Sequence, residues 1–131
     1  MKKGYKALLD EADAEIEALT PAEAAPLLGR DDFVFVDIRE AAELEREGRI
    51  PGAKNMPRGL LEFLIDPESP YHRPIFASGK TFVFFCAAGW RSALTTKMAQ
   101  DMGLSPVKHI DGGFGAWKEA GLPVEPPSGK T

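Results

Sequence analysis

TFVFFCAAGWRSALTTKMAQDM, residues 81–102, decides how this chain is read. Its first six residues, TFVFFC, make the strongest strand pattern in the sequence, an apolar β-rich run of the kind a strand buried on both faces needs. From Arg91 to Met102 the pattern is helical, with Leu94, Met98 and Met102 on one face and Gly103 as the stop. The short loop between them carries Cys86, the sole cysteine. In α/β sheets, ligands sit at the carboxyl ends of strands, and Cys86 falls at such an end. The thiol is then either packing material, as most lone cysteines are, or part of a cradle for an anion on sulfur.

The flanking sequence repeats the alternation. FVFVDI, 33–38, and VKHI, 107–110, read as further strands, and IPGAKNMP, 50–57, as a turn followed by a brief strand. Helices are expected over 3–18, from Thr20 to near Gly29, and over 40–47, 60–65 and 113–120. Thr20-Pro21-Ala22-Glu23 has the form of a capping box with proline at the first helical position. Residues 66–79, with three prolines, read as an irregular loop in which Tyr71, His72 and Arg73 are candidates for a lid. The expected architecture is α/β, a central, mainly parallel sheet with helices on both faces. Its expected organisation is an N-terminal helical extension over 1–19, a single domain over 20–125 and a flexible tail over 126–131.

Composition removes several classes of function. No apolar run reaches the roughly 20 residues of a membrane helix, and the segment after Met1-Lys2-Lys3 is acidic where a secretory leader would be apolar. One cysteine permits no internal disulfide and no cysteine-cluster metal site. These features together point to the reducing cytoplasm. A net charge of −4 argues against nucleic acid as a partner. The charge is unevenly spread. Residues 10–47 hold 13 of the 20 acidic groups, whereas from residue 48 onward 10 basic groups face seven acidic ones. The half with Cys86 is therefore mildly basic.

The residues of the loop favour an anion. Gly89 permits a backbone turn that other residues resist, and Ala87 and Ala88 keep its surface small. The amides of residues 87–91 can converge as an anion nest. The helix start adds unpaired donors and the positive end of its dipole. Arg91 adds a permanent charge and Ser92 a hydroxyl. All of these favour a thiolate over a thiol, and they equally suit the anion formed when Cys86 accepts an atom.

Four stretches, in order, resemble the single-domain rhodaneses, a family of sulfurtransferases. Asp37-Ile38-Arg39 with Glu43 resembles the family's D-x-R…E segment. Gly48-Arg49-Ile50-Pro51-Gly52-Ala53 resembles its G-H-I-P-G-A turn, with Arg49 where histidine is usual. Cys86-Ala87-Ala88-Gly89-Trp90-Arg91-Ser92 resembles its active-site loop, and Gly112-Gly113-Phe114-Gly115-Ala116-Trp117 its G-G-x-x-x-W segment. The resemblance spans about residues 18–125. It implies that Cys86 accepts a sulfane sulfur from a donor such as thiosulfate or a persulfide. The sulfur then passes to a thiol or cyanide, without metal or organic cofactor. A protein persulfide is a further candidate partner.

Asp37 and Arg39 are then expected to support the loop, either in a structural ion pair with Glu43 or another neighbour, or with Arg39 helping an anionic substrate. His109 reads as a satisfied strand residue. Trp90 reads as pointing away from the cradle, either a rim residue or a docking surface. No positive charge stands at 87, 88 or 90, so a persulfide donor is expected to be preferred over dianionic thiosulfate. Two other activities compete: a rhodanese-fold binding or regulatory module, and a cysteine-dependent phosphatase or arsenate reductase. Phosphatases of that kind use C-x5-R, a wider ring than the four intervening residues here.

Overall fold

The computed structural model describes residues 1–127. Five parallel strands form one sheet, and their spatial order places the N-terminal strand at one edge. In chain order they are β1 (Glu17–Leu19), β2 (Phe33–Asp37), β3 (Lys54–Asn55), β4 (Thr81–Phe85) and β5 (Val107–Ile110). In space the order is β1-β5-β4-β2-β3. The helices are α1 (Tyr5–Glu15), α2 (Pro21–Ala24), α3 (Ala41–Glu47), α4 (Leu61–Ile65), α5 (Trp90–Met102) and α6 (Gly113–Glu119). None of them is long and apolar enough to cross a membrane.

The central strands are apolar throughout because both faces of the sheet are covered. Val34, Val36, Phe82 and Phe84 enter one core with Leu61, Leu64 and Ala99 from α4 and α5. The alternate residues Phe35, Val83 and Phe85 enter the other with Ala24, Phe114 and Trp117 from α2 and α6. Trp117 is fully buried, and its indole N–H donates to the Pro123 carbonyl at 2.8 Å, which pins the chain beyond α6. This is the layered α/β arrangement expected from the sequence.

Two elements differ from the sequence reading. The helix expected over 3–18 stops at Glu15, and Ile16 is already extended. Residues 17–19 instead pair with β5, Glu17 beside Lys108 and Leu19 beside Ile110. A three-residue strand is too short to show a period, and it gains its backbone partners only from a segment some 90 positions away. The second difference is the face of α5. Its buried residues are Ser92, Ala93, Thr95, Thr96 and Ala99, whereas Met102 is exposed. Small residues let α5 approach the sheet closely, and α1 crosses its outer side, where the Gln100 side chain donates to the Glu15 carbonyl.

The remaining elements follow local chemistry. Thr20 and Glu23 exchange hydrogen bonds of 3.1 and 2.9 Å with each other's backbone amides, closing the capping box. The loop over 66–79 contains a short 3-10 turn, Pro74–Ala77. Of the tail over 126–131, residues 128–131 lie outside the described residues.

Candidate active site

The loop from Cys86 to Gly89 is shaped from below. The Cys86 carbonyl accepts the Phe114 amide at 2.7 Å, and the Ala87 carbonyl accepts the Gly115 amide at 3.0 Å. In a trans peptide the C=O and the following N–H point in opposite directions. The first turn of α6, by holding two carbonyls, therefore turns the Ala87 and Ala88 amides away from itself. This close approach needs Gly113, because a Cβ there would run into the Cys86 carbonyl oxygen. Gly89 completes the turn at φ +102°, a left-handed conformation, and caps α5.

Cys86 itself is 1 % exposed and touches the apolar core. Its sulfur is nevertheless ringed by donors. Sγ accepts the Gly89 amide at 3.1 Å and the Ser92 amide at 3.4 Å, and lies 3.6 Å from Ser92 Oγ. The Ser92 amide belongs to the first turn of α5, so the sulfur also lies at the positive end of that helix. The amides of Ala87, Ala88, Trp90 and Arg91 donate to no backbone or side-chain group among the described residues. Of the residues singled out in the sequence, the loop therefore brings Gly89 and Ser92 onto the sulfur directly.

Arg91 is placed differently. Its guanidinium takes the Glu43 carboxylate of α3 in a two-pronged grip, both bonds 2.9 Å long. Glu43 is held well below the usual carboxylate range, at about 2, first by the Arg91 hydrogen bonds and then by the Glu40 amide that it also accepts. Arg91 is raised in turn, chiefly by Glu43, with smaller contributions from Cys86 and Asp37. The charge of Arg91 is thus shared with an acid from another helix.

Asp37 and Arg39 form a buried framework beside the loop. Both are 1 % exposed, and Arg39 Nη2 reaches Asp37 at 2.8 Å and the Gly48 carbonyl at 2.9 Å. The guanidinium lies 4.3 Å from the Phe114 ring centroid, over the residue whose amide holds the Cys86 carbonyl. Asn55 donates to the carbonyls of both residues. Trp90 is 60 % exposed at the rim and packs on Tyr5 of α1, ring centroids 5.2 Å apart. Tyr71 and Arg73 line a separate apolar hollow with Leu60, Phe63 and Leu64 rather than the loop.

His109 is the satisfied strand residue expected, and its partner is what the sequence reading missed. Its Nδ1 lies 2.9 Å from Ser92 Oγ, and the residue is 3 % exposed. The signal was the sheet register. His109 pairs with Phe84 on the neighbouring strand. Side chains alternate along a strand, so His109, Phe84 and Cys86 share the face covered by α5.

The rhodanese-like domain family matches residues 20–120, and the chain belongs to that family. It is 32 % identical over 103 residues to a sulfurtransferase of Allochromatium vinosum, a match covering 79 % of this chain and 88 % of the relative. It is also 32 % identical over 106 residues to an uncharacterised Synechocystis protein, covering 81 % of this chain but only 54 % of that longer relative. Among solved structures it resembles a Rhodopseudomonas palustris protein of unknown function described as a possible tyrosine phosphatase. That likeness has a TM-score of 0.92 and 58 % identity over 95 % of this chain and 96 % of that one.

Proposed function

We propose that the protein is a sulfurtransferase that carries sulfane sulfur on Cys86. The Cys86 thiolate attacks the outer sulfur of a donor, forming a new S–S bond while the donor's own S–S bond breaks and its electron pair departs with the donor thiolate. An acceptor thiolate or cyanide then attacks the outer sulfur, and Cys86 leaves as thiolate. Splitting the transfer through a covalent intermediate replaces one difficult step by two easier ones. The observation that carries this reading is the donor set at the sulfur, the Gly89 and Ser92 amides on Sγ beside the amides of Ala87, Ala88, Trp90 and Arg91, which donate to no group among the described residues. Donors fixed in place before reaction stabilise anionic sulfur without reorganising.

The donor is a small persulfide or polysulfide, or a protein persulfide, in preference to thiosulfate. Ala87, Ala88 and Trp90 bring no charge, and Arg91 is engaged with Glu43, so a dianion meets little net attraction. Persulfides and free thiolates belong to a reducing compartment, and the cytoplasm is the proposed location. Asp37 and Arg39 support the loop and do not contact the substrate.

Intact mass after exposure to polysulfide tests the reading. One added sulfur, lost with cyanide and absent in Cys86→Ser, supports transfer. No adduct with polysulfide, glutathione persulfide or thiosulfate overturns it in favour of a binding module. The description of the Rhodopseudomonas palustris neighbour favours a second reading, a cysteine-dependent phosphatase. Here the arginine follows four intervening residues and is held by Glu43, a poor arrangement for clasping a phosphate bidentately. Turnover of p-nitrophenyl phosphate that disappears in Cys86→Ser would establish that reading instead.

A further inference from the structure

A buried thiol that must act as a thiolate needs somewhere to send its proton, and the loop amides are donors only. Ser92 and His109 form the one hydrogen-bonded path away from Cys86 described above that ends on a base. Ser92 Oγ stands between them, 3.6 Å from Cys86 Sγ and 2.9 Å from His109 Nδ1. Its hydroxyl has one proton to give. The Gly89 carbonyl is the competing acceptor at 3.3 Å, and the imidazole is the nearer. When that proton points at His109, the oxygen lone pairs are left to face the thiol.

We propose that His109 is the resting place of the Cys86 proton, reached through the Ser92 hydroxyl. The thiol proton passes to Ser92 Oγ as the serine's own proton passes to His109 Nδ1, leaving thiolate, neutral serine and imidazolium. The inference rests on Cys86 acting as a nucleophile, as in the reading above. No other base is required, and the proton is returned when Cys86 is reprotonated.

The surroundings of the ring fit this role. Burial holds His109 below the ordinary histidine range, so the imidazole is neutral at pH 7 with a lone pair to offer, although the same burial opposes the imidazolium that the relay forms. Two carboxylates pull the other way, Asp111 just beyond β5 and Asp13 from α1. Both line a small hollow of about 190 Å³ that His109 also lines, together with Ala88, Gly89 and Trp90. The imidazolium formed by the relay is thus a cation flanked by two acids, and α1 contributes one of them. On this view α1 tunes the loop electrostatically, and this function is separate from covering α5.

The test uses iodoacetamide, a probe whose reaction at Cys86 does not require sulfur transfer, with the adduct followed by intact mass. The wild-type rate is expected to fall as pH drops below the ordinary histidine range, because a protonated His109 accepts nothing. His109→Asn, which keeps an acceptor near the Nδ1 position but takes no proton, should lose that inflection. At pH 7 it should react about 10- to 100-fold more slowly, toward the lower end of general-base contributions. Ser92→Ala should do the same, and Ser92→Thr, which restores the hydroxyl, should restore the inflection. Ring ¹⁵N shifts of the unmodified protein give a readout independent of any variant's folding: Nδ1 must be the unprotonated nitrogen. A protonated Nδ1, or His109→Asn alkylated with the wild-type rate and inflection, overturns the relay. If the relay profile holds but polysulfide leaves no sulfur on Cys86, the sulfurtransferase reading falls and the relay stands. If sulfur is taken up while the profile ignores His109, the reverse is true.

Discussion

Arg91 and Glu43, 48 positions apart in sequence, are joined by two parallel hydrogen bonds of 2.9 Å. The pair ties the start of α5 to the first turn of α3. It also decides how much positive charge the Cys86 loop can show a substrate.

Acid should reveal the pair. Glu43 is depressed to about 2 from an ordinary 4.5, so its contribution to stability is complete above about pH 4.5 and is lost as pH falls towards 2. Glu43→Gln should remove that part of the acid limb. Urea unfolding at neutral pH should show a loss of about 1 kcal/mol, a modest figure because solvent screens the partly exposed arginine. An unchanged pH profile between 5 and 2 would contradict the assignment.

The same variant should change donor choice. With Glu43 uncharged, Arg91 regains an unshared charge near the sulfur. kcat/KM for thiosulfate should rise several-fold relative to glutathione persulfide, a change of about 1 kcal/mol in transition-state binding. Steady-state assays with both donors, each at low and high salt, check this. A uniform loss with both donors would show that the pair only holds the loop's shape.

Arg39→Ala should be far more damaging than any substitution at Arg91. It leaves the Asp37 carboxylate buried without its partner and uncovers the Phe114 ring. Breaking such a pair costs about 3–5 kcal/mol. Chemical denaturation measures the loss directly, and a cost below about 1 kcal/mol would deny the pair its structural role.

Gly113→Ala and Gly121→Ala separate loop shaping from simple backbone strain. Both glycines have positive φ, +60° and +75°. Each substitution therefore carries a backbone penalty of about 1–2 kcal/mol. At Gly121 the new methyl group meets nothing within 4 Å, whereas at Gly113 it meets the Cys86 carbonyl. Sulfur uptake followed by mass should survive the first change and fail in the second, where the carbonyl can no longer sit on the Phe114 amide.

Asp13→Asn tests the reach of α1. The carboxylate raises the His109 pKa, so its removal should lower it further. Ring proton shifts followed from pH 4 to 8 report the change, and an unaltered midpoint would mean that α1 is electrostatically silent at this site.

The fold was legible in the sequence where burial imposes a pattern over several residues. FVFVDI and TFVFFC are greasy on both faces because the sheet is covered on both faces, and Thr20-Pro21-Ala22-Glu23 closes its cap within four residues. The illegible parts depend on distant partners. EAL at 17–19 becomes a strand only because β5 offers it an edge. His109 acquires its contact to Ser92 only once the register of β5 against β4 is fixed. Arg91 could be read as a charge beside Cys86, but not as one already matched by Glu43. Local signals placed the residues of the loop, and only the assembled sheet determined which charges and bases surround them.

The edge position of β1 carries a practical warning for anyone who trims the chain. The family match starts at residue 20, yet the sheet starts at Glu17. A fragment cut at that homology boundary would strip β5 of its neighbour and leave a row of unpaired backbone groups facing water. Exposed edges of that kind recruit strands from other molecules. Such a fragment would be prone to self-association even with every motif intact.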